Sequence, residues 1–439
     1  MKTLLLAFGV CAYLLWLGSF NARADEPVNT LPSPSPLPVQ LNRSNLDTSP
    51  VQVPGPSARA LQHYRSSLGI AGVVMLWNLL LPGLALFTGF SARLRTWAER
   101  WGRNWYFTFA LYCVALGGLY YLASLPLHYY TGFIRPHSYD LSNQTFAHWL
   151  ENYLKEAAVM IVLVLVVGWF PFLVLRKSPR RWWLNLGLLA APFFCVSEFI
   201  HPVVIDPLFH HFQPLPDKAL ESKILAEAAR GSIEGSRVYE VNMSTDTKTL
   251  NAYVTGFMGT KRIVLWDTTL KALTEDELLF ILGHEMGHYV MRHIIKLIAF
   301  NSLLILLSYY VVYRLAGRIM ARFSTRFGFN SLSDFAALPL LLLLILIVSL
   351  VGMPIPMAFS RHIEHEADRF GLELTHDNHA AATAFVKLQQ KALGISRPGP
   401  LAEIWLFDHP SIGERIDFCN QYRPWATGDP VRYGQYIKP

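Results

Sequence analysis

Cysteine and charge are both scarce in this sequence. Only four of its 439 residues are cysteine, and Asp, Glu, Lys and Arg together make up 16%. Cys11 lies in an N-terminal apolar segment, Cys113 and Cys195 lie in longer apolar runs, and Cys419 stands alone near the C-terminus. This distribution excludes a disulfide framework and a cysteine-ligated zinc site. The net charge of +7 comes largely from arginines in short loops, so we expect no nucleic-acid partner.

Apolar residues are abundant instead, at 52% of the chain, and they concentrate in discrete blocks. Each block is long enough to cross a bilayer at a helical rise of about 1.5 Å per residue. The sequence therefore predicts a mainly α protein, a polytopic membrane helical bundle in contact with the lipid bilayer. The predicted spans are 66–90, 104–126, 156–176, 183–206, 294–315 and 336–358.

The N-terminal region has the layout of a secretory signal. In residues 1–24, a lone Lys2 precedes an apolar run, and Ala-Arg-Ala stands before Asp25. An uncleaved N-terminal anchor is the alternative. Residues 25–65 are rich in Pro, Ser and Asn and are expected to form a linker. The predicted domains after it are a four-helix transmembrane region, 66–206, and a metallopeptidase domain, 207–439, that includes the last two spans.

Arginine-rich loops predict the orientation in the membrane. Lys and Arg accumulate in cytoplasmic loops, which assigns three loops to the cytoplasm. The segment 207–293 and everything after about residue 359 then face the other side. We expect a bacterial inner-membrane protein whose catalytic site faces the periplasm. The three loops contain Arg93, Arg95, Arg100 and Arg103; residues 176–181; and Arg314, Arg318, Arg322 and Arg326.

Residues His284-Glu285-Met286-Gly287-His288 spell H-E-x-x-H directly before an apolar run. On a helix, histidines four residues apart leave the same face and can share one tetrahedral Zn²⁺. Glu285 then lies beside the metal, where it can accept a proton from water and deliver it to a leaving amine. The motif predicts one Zn²⁺ per chain and a membrane metalloendopeptidase.

A small α/β, zincin-like extramembrane portion is predicted around this motif. An amphipathic helix at 217–229 precedes three strand-like stretches, RVYEVNMS, NAYVTGF and KRIVLWD. Thr274 and Glu277 form a capping box that starts the catalytic helix. We expect this helix to run unbroken into the 294–315 span. His293, five residues after His288, then lies off the ligand face and is expected at the membrane interface.

A third protein ligand is needed, because a catalytic zinc site keeps one position open for water. The stretch SRHIEHEADRF offers four candidates, and spacing alone does not choose among them. Two of them, Glu364 and Asp368, share a helical face with Arg361, an arrangement suited to a ligand with orienting partners. The four candidates are Glu364, His365, Glu366 and Asp368.

Three separated motifs resemble the type I CAAX prenyl protease family of integral-membrane zinc endopeptidases. In chain order they are HEMGH, SRHIEHEAD and DHPSIGER. Three further stretches also resemble that family, namely SLPLHYY, IDPLFHHFQPL and NAYVTGF. The similarity therefore covers most of residues 70–420. The resemblance implies that Glu364 is the third zinc ligand. It also implies that Asp368 orients a zinc-binding histidine.

The same resemblance assigns substrate contacts. It implies that the strand Asn251-Ala252-Tyr253 pairs with a peptide or protein substrate bound in extended form, through backbone hydrogen bonds. His409 and Arg415 are implied to stabilise the oxyanion or to anchor the substrate. Simpler interpretations stay open, with Asn251 a turn residue, His409 a loop histidine and Arg415 a solvated charge.

The family's eukaryotic members trim prenylated C-terminal motifs at a cytosol-accessible site, whereas the charge pattern here puts the site outside the cytoplasm. We therefore expect membrane-associated or envelope peptides as substrates. One alternative is a catalytically silent scaffold or chaperone stabilised by zinc, although such a site has no use for Glu285. Another is a zinc transporter, which predicts several His- or acid-rich sites along the spans.

A topology reporter tests the predicted orientation. Alkaline phosphatase fused after Pro439 is expected to be active, because it needs an oxidising compartment to form its disulfides. The same enzyme inserted after Arg181 is expected to be inactive. An inactive C-terminal fusion that is stably expressed would contradict the periplasmic assignment.

Overall fold

The computed structural model describes residues 49–200, 204–255 and 261–438. The predicted signal, 1–24, and most of the predicted linker lie outside these residues. The described end of the linker is held by the C-terminal part of the chain. The Val51 N–H donates to Asn420 Oδ1, and Asn420 Nδ2 donates to the Val51 carbonyl, each at 2.9 Å. The first described helix begins at Ala58, several residues earlier than the predicted span.

Helices dominate the described chain, and five helical stretches are long and apolar enough to span a membrane. They coincide with five of the six predicted spans, so the predicted mainly α membrane fold is confirmed. The first three stretches contain five helices, and a short helix, α2, connects the first two stretches. In chain order these helices are α1 (Ala58–Phe87), α2 (Phe90–Trp101), α3 (Trp105–Tyr129), α4 (Arg135–Ser138), α5 (Phe146–Leu163) and α6 (Trp169–Lys177). The stretches are Ala58–Phe87, Trp105–Ser138, Phe146–Lys177, His293–Phe327 and Phe335–Gly352.

The sixth predicted span, 183–206, is not one helix in its described part. It consists of α7 (Trp182–Leu188) and α8 (Ala190–Ile200), separated by a turn at Leu189. Gly187 lies so close to a neighbouring long helix that a Cβ there would meet Leu306 Cδ1 at 2.4 Å. The break therefore accompanies close packing of α7 against that helix.

A four-stranded sheet precedes the catalytic helix. The three predicted strands are confirmed, and a short strand that the sequence analysis did not predict, β1, joins them. The sheet order is β1-β2-β4-β3, with β2 and β4 parallel and the other pairs antiparallel. Within the described chain, β3 is thus an edge strand. The elements are β1 (Phe212–Pro214), α9 (Lys218–Arg230), β2 (Arg237–Val241), β3 (Ala252–Thr255), β4 (Arg262–Trp266) and α10 (Asp267–Ala272).

The catalytic helix α11 (Glu275–Val290) begins with the predicted capping box, in which the Thr274 N–H donates to Glu277 Oε2 at 2.7 Å. The expectation of an unbroken helix into the next span is wrong. Arg292 adopts a left-handed conformation with φ of 55°, which ends the helical path before α12 (His293–Phe327) begins. The chain therefore changes direction between the zinc motif and the membrane span.

The two zinc-motif helices meet at glycines. Helix α13 (Leu338–Gly352) is followed by α14 (Pro354–Thr375), which packs on α11. A Cβ on Gly371 would lie 3.0 Å from the His284 backbone nitrogen, and one on Gly287 would lie 3.0 Å from Phe370 Cβ. The helix backbones can approach this closely only without those side chains. The remaining helices are α15 (Asn378–Lys391), α16 (Pro400–Leu406), α17 (Ile412–Gln421) and α18 (Pro424–Thr427).

Replacing Gly371 with alanine is expected to force α11 and α14 apart and to lower the free energy of unfolding by about 1–3 kcal/mol. Thermal unfolding in detergent measures the effect. Gly118→Ala is the matched control, because its Cβ would enter open space within α3. Equal unfolding temperatures for the two variants would contradict the close-packing interpretation.

Candidate metal centre

Three predicted ligands come together between α11 and α14. Nε2 of His284 lies 3.1 Å from Nε2 of His288 and 3.3 Å from Glu364 Oε2. Nε2 of His288 lies 3.4 Å from Glu364 Oε1. His284 and Glu364 are buried, and His288 is half-buried. Among the residues that the structure describes, no other set of His, Cys, Asp and Glu side chains meets so closely.

The donor set fits zinc. In tetrahedral sites Zn–N and Zn–O bonds are about 2.0–2.2 Å, so neighbouring ligand atoms lie about 3.3–3.6 Å apart. The separations of 3.1 Å between the two histidine nitrogens, and of 3.3 and 3.4 Å from these nitrogens to the two different oxygens of Glu364, are near that spacing. Glu364 Oε2 is also buried and makes no well-aligned hydrogen bond, although His284 and His409 each place Nε2 3.3 Å away, and a buried carboxylate is favoured by a nearby cation. Two imidazoles and one carboxylate are the ligands of a known class of catalytic zinc site.

Charges in the site favour an ionised carboxylate ligand. Burial opposes ionisation of Glu364, but the neighbouring His409, His288 and His284 outweigh it and hold the pKa of Glu364 well below its usual range. At His288, burial lowers the pKa to about 3, so its imidazole is neutral at pH 7. Burial opposes a charge on His284 as well, but the hydrogen bonds and charges of Asp368 and Glu364 raise its pKa to about 10. Metal binding requires neutral imidazoles and a carboxylate, so His284 has to release a proton when a metal ion binds.

Asp368 contacts His284, the kind of residue that the resemblance implies it orients. Its Oδ1 lies 2.9 Å from His284 Nδ1, which leaves Nε2 facing the other ligands. Burial opposes the charged form of Asp368, yet the Arg415 guanidinium and His284 lower its pKa to about 2. Arg415 binds this carboxylate in a bidentate manner, with Nε donating to Oδ2 at 2.8 Å and Nη2 to Oδ1 at 2.5 Å.

Arg415 is therefore not a solvated charge. It is buried, and its guanidinium lies 4.1 Å from the ring centroid of Phe385. One of its nitrogens also lies 3.8 Å from Glu364 Oε2. The bidentate hydrogen bonds direct the guanidinium mainly towards Asp368, on the Nδ1 side of His284.

His293 is the residue that sequence reasoning missed. It begins the membrane-length stretch His293–Phe327, but its side chain is buried and its Nδ1 lies 2.9 Å from Nδ1 of His288, a contact that the expected interfacial position did not include. Its Nε2 lies 3.4 Å from Glu366 Oε2, and Tyr433 donates to Glu366 Oε1 at 3.1 Å. His288 thus has an orienting partner as His284 does. The break at Arg292 makes this contact possible. No local sequence pattern predicts the break.

Glu285 is half-buried beside the ligands, with Oε1 4.0 Å from His284 Nε2. Burial raises the pKa of Glu285 to about 7, and the Glu364 carboxylate adds to the rise. The positive charges of His284, His409 and Arg415 partly oppose the shift. A carboxyl group with a pKa near neutrality is suited to both accepting and returning a proton.

His409 lies on the more open side of the ligand set. Its Nε2 is 3.3 Å from Glu364 Oε2, its Nδ1 is 2.8 Å from Asp408 Oδ1, and the side chain is 45% exposed. Arg361 holds the preceding segment by donating to the carbonyls of Glu403, at 2.9 Å, and Phe407, at 2.7 Å. His409 is therefore anchored near the metal ligands rather than placed on a free loop.

The predicted substrate strand lies next to the catalytic helix. Ala252 and Tyr253 belong to β3 and pair with Leu265 and Val264 of β4, and β3 contacts α11. Asn251 precedes the strand, and its Oδ1 accepts a hydrogen bond from the Ala252 N–H at 2.9 Å. The arrangement leaves β3 at the sheet edge on the side away from β4.

Comparison with known proteins gives two family models that together span most of the chain. Residues 214–422 match peptidase family M48. Residues 58–211 match the model described as CAAX prenyl protease N-terminal, five membrane helices.

Similar proteins include an uncharacterized metalloprotease of Bacillus subtilis, YhfN, which is 38% identical over 88% of this chain and 91% of its own length. The CAAX prenyl protease 1 homolog of Dictyostelium discoideum is 30% identical over 68% of this chain and 70% of its own. The crystal structure of S. mikatae Ste24p superposes with a TM-score of 0.71 at 22% identity, covering 82% of this chain and 87% of that one. This last likeness concerns the fold.

Replacing His293 with phenylalanine removes the partner of His288 Nδ1 and is expected to weaken zinc affinity about 10–100-fold. Competition with a zinc chelator on the purified protein measures the change. His362→Phe is the control, because His362 is 65% exposed and lies near Glu366 without touching His288. Unchanged affinity in the His293 variant, or an equal loss in both, would refute this role.

Proposed function

The chain belongs to peptidase family M48, and from this premise we propose that it is a membrane-embedded, zinc-dependent endopeptidase. The observation that carries the proposal is the triangle of His284, His288 and Glu364 with Glu285 beside it. Bound there, one Zn²⁺ would act as a Lewis acid towards the scissile carbonyl and would lower the pKa of water.

The protein's own groups divide the remaining work. Glu285 accepts a proton from the attacking water and returns it to the leaving amine, a task that its pKa of about 7 supports. Asp368 and His293 fix the imidazole rings of the two histidine ligands. His409, anchored beside the site and partly exposed, donates to the oxygen on which negative charge develops.

For Arg415 we favour a positioning role over direct contact with substrate. The resemblance to the family implies stabilisation of the oxyanion or anchoring of the substrate. The bidentate contact with Asp368 and the burial of the guanidinium support the other interpretation. Arg415 then acts through Asp368 and His284 on the geometry of the ligand set.

The substrate is a peptide bound in extended form against β3. Backbone hydrogen bonds to an edge strand give affinity with little demand on sequence. The strand begins at Ala252, directly after Asn251, and lies against the catalytic helix. The proposal requires that a peptide paired with β3 extends to Glu285 and His409.

Membrane-associated or envelope peptides are the substrate class that we propose. His293 contacts a metal ligand and is also the first residue of the membrane-length stretch His293–Phe327, so the site lies next to the bilayer. The relatives named CAAX prenyl proteases suggest prenylated substrates as a second candidate. The arginine-based orientation towards the periplasm of a bacterial inner membrane favours the first.

Peptide cleavage by detergent-purified protein beside its Glu285→Gln variant tests the proposal. Cleavage is expected to fall by at least about 100-fold with zinc retained, because the variant loses the proton acceptor but none of the three ligands. Glu275→Gln, an exposed site on the same helix that pairs with Lys223, is expected to keep full activity.

Zinc bound by wild type and variant alike, with cleavage in neither across lipidated and unlipidated membrane peptides, would instead favour a zinc-stabilised scaffold. Equal cleavage by wild type and Glu285→Gln would refute Glu285 as the base.

A further inference from the structure

Two adjoining cavities lie at the end of the helical bundle remote from the metal centre. Helix α12 starts at His293, beside the zinc motif, and extends for 35 residues, about 50 Å at the usual helical rise. Near its other end, Arg326 Nε donates to the Phe87 carbonyl at 3.0 Å. The last turn of α1 and the following helix α2 therefore sit far from the ligands.

The first cavity is apolar and has a volume of about 550 Å³, within the range of sites that hold small molecules. It lies between α1, α3 and α13. The polar pair in its lining is satisfied internally, because the Tyr120 hydroxyl donates to Asn78 Oδ1. Its aliphatic walls include Leu81, Leu84, Leu116, Leu119, Leu342 and Leu346.

The second cavity is an open, basic depression of about 380 Å³ on the protein surface, where Arg93 and Arg100 are exposed. Its walls come from one face of α2, where Arg93, Thr96, Trp97 and Arg100 recur at helical spacing. Arg93 lines both cavities. The apolar and the basic spaces thus share one wall residue.

The two arginines of the basic cavity carry charge that no acidic group compensates. Within the described part of the chain, neither Arg93 nor Arg100 pairs with a carboxylate, and Arg93 Nη2 donates only to the Thr88 carbonyl, at 3.3 Å. Arg95, on another face of α2, is neutralised by Asp334 at 2.6 Å. The unneutralised charge is therefore confined to the face that lines the cavity.

We propose that these cavities bind one anionic phospholipid, with its phosphate at Arg93 and Arg100 and an acyl chain between α1, α3 and α13. Charge complementarity selects the headgroup, since basic residues on a helix next to a membrane span attract anionic lipid heads. Two tryptophans of α2, Trp97 and Trp101, are 43% and 70% exposed, as is typical of residues at a membrane surface.

The combination of the two cavities excludes simpler ligands. A soluble anion would leave the apolar space unfilled, and a neutral lipid would leave the charge of the two arginines uncompensated. The site is separate from peptide hydrolysis, and the proposal goes beyond the proposed function. On the orientation predicted from the arginine-rich loops, the lipid belongs to the cytoplasmic leaflet.

Native mass spectrometry of the detergent-purified protein tests the headgroup. The probes are phosphatidylglycerol and phosphatidylcholine with identical acyl chains. Wild type is expected to retain phosphatidylglycerol about 10–30-fold better, given the usual contribution of two arginines near an anionic surface. The double variant Arg93→Ala/Arg100→Ala is expected to lose this preference. Arg103→Ala, exposed just after α2 and outside both cavities, is the matched control and keeps it.

A second pair of variants tests the acyl chain. Ala123→Trp places a large side chain into the apolar cavity and is expected to reduce phosphatidylglycerol retention severalfold. Leu122→Trp, on the neighbouring residue, which is 67% exposed and outside the cavity, leaves retention unchanged. Peptide cleavage by all variants checks that they are folded, because the substitutions lie far from the metal ligands.

Three outcomes would overturn the proposal. The first is equal retention of the two lipids by wild type, which indicates annular lipid only. The second is equal loss in a test variant and its matched control. The third is retention of soluble glycerol phosphate together with an unaffected Ala123→Trp variant, which indicates an anion site without a lipid tail.

Discussion

The close approach of helices α11 and α14 is the constraint on which the rest of the structure depends. Two of the candidate metal ligands stand on one helix and the third on the other, so their 3.1–3.4 Å separations require backbones that almost touch. Gly371 and Gly287 permit that contact. The capping box at Thr274 fixes where α11 begins, and with it the rotational position of both histidines. The sheet and the C-terminal helices pack around this pair, whereas the membrane helices form a separate hydrophobic core.

Buried charge makes the site a single interdependent unit. Removing a carboxylate or a guanidinium from water costs several kcal/mol, and the cost is offset only when partners are well placed. Asp368 and Arg415 satisfy each other and orient His284, and Arg415 is supplied by α17 near the C-terminus. The C-terminal segment therefore completes the site electrostatically. It also supplies His409 on the open side of the ligands.

Helix α12 links the candidate metal centre to the membrane helices. Its first residue, His293, touches a metal ligand, and its far end packs beside α1 and close to the basic face of α2. The left-handed turn at Arg292 makes this possible, because a straight continuation of α11 would carry His293 away from His288. The candidate metal centre therefore adjoins the first residue of a membrane-length helix.

The sequence by itself determined the elements whose signals are local. These are the apolar spans, the capping box, three strands, and the H-E-x-x-H spacing that puts two imidazoles on one helical face. Family resemblance, rather than spacing, selected Glu364 from four candidates. Only the tertiary structure decided the left-handed turn at Arg292, because arginine has no intrinsic preference for that conformation. The contact of His293 with His288 and the direction of Arg415 likewise arise from packing between segments distant in the chain, which leaves no periodic trace in the sequence.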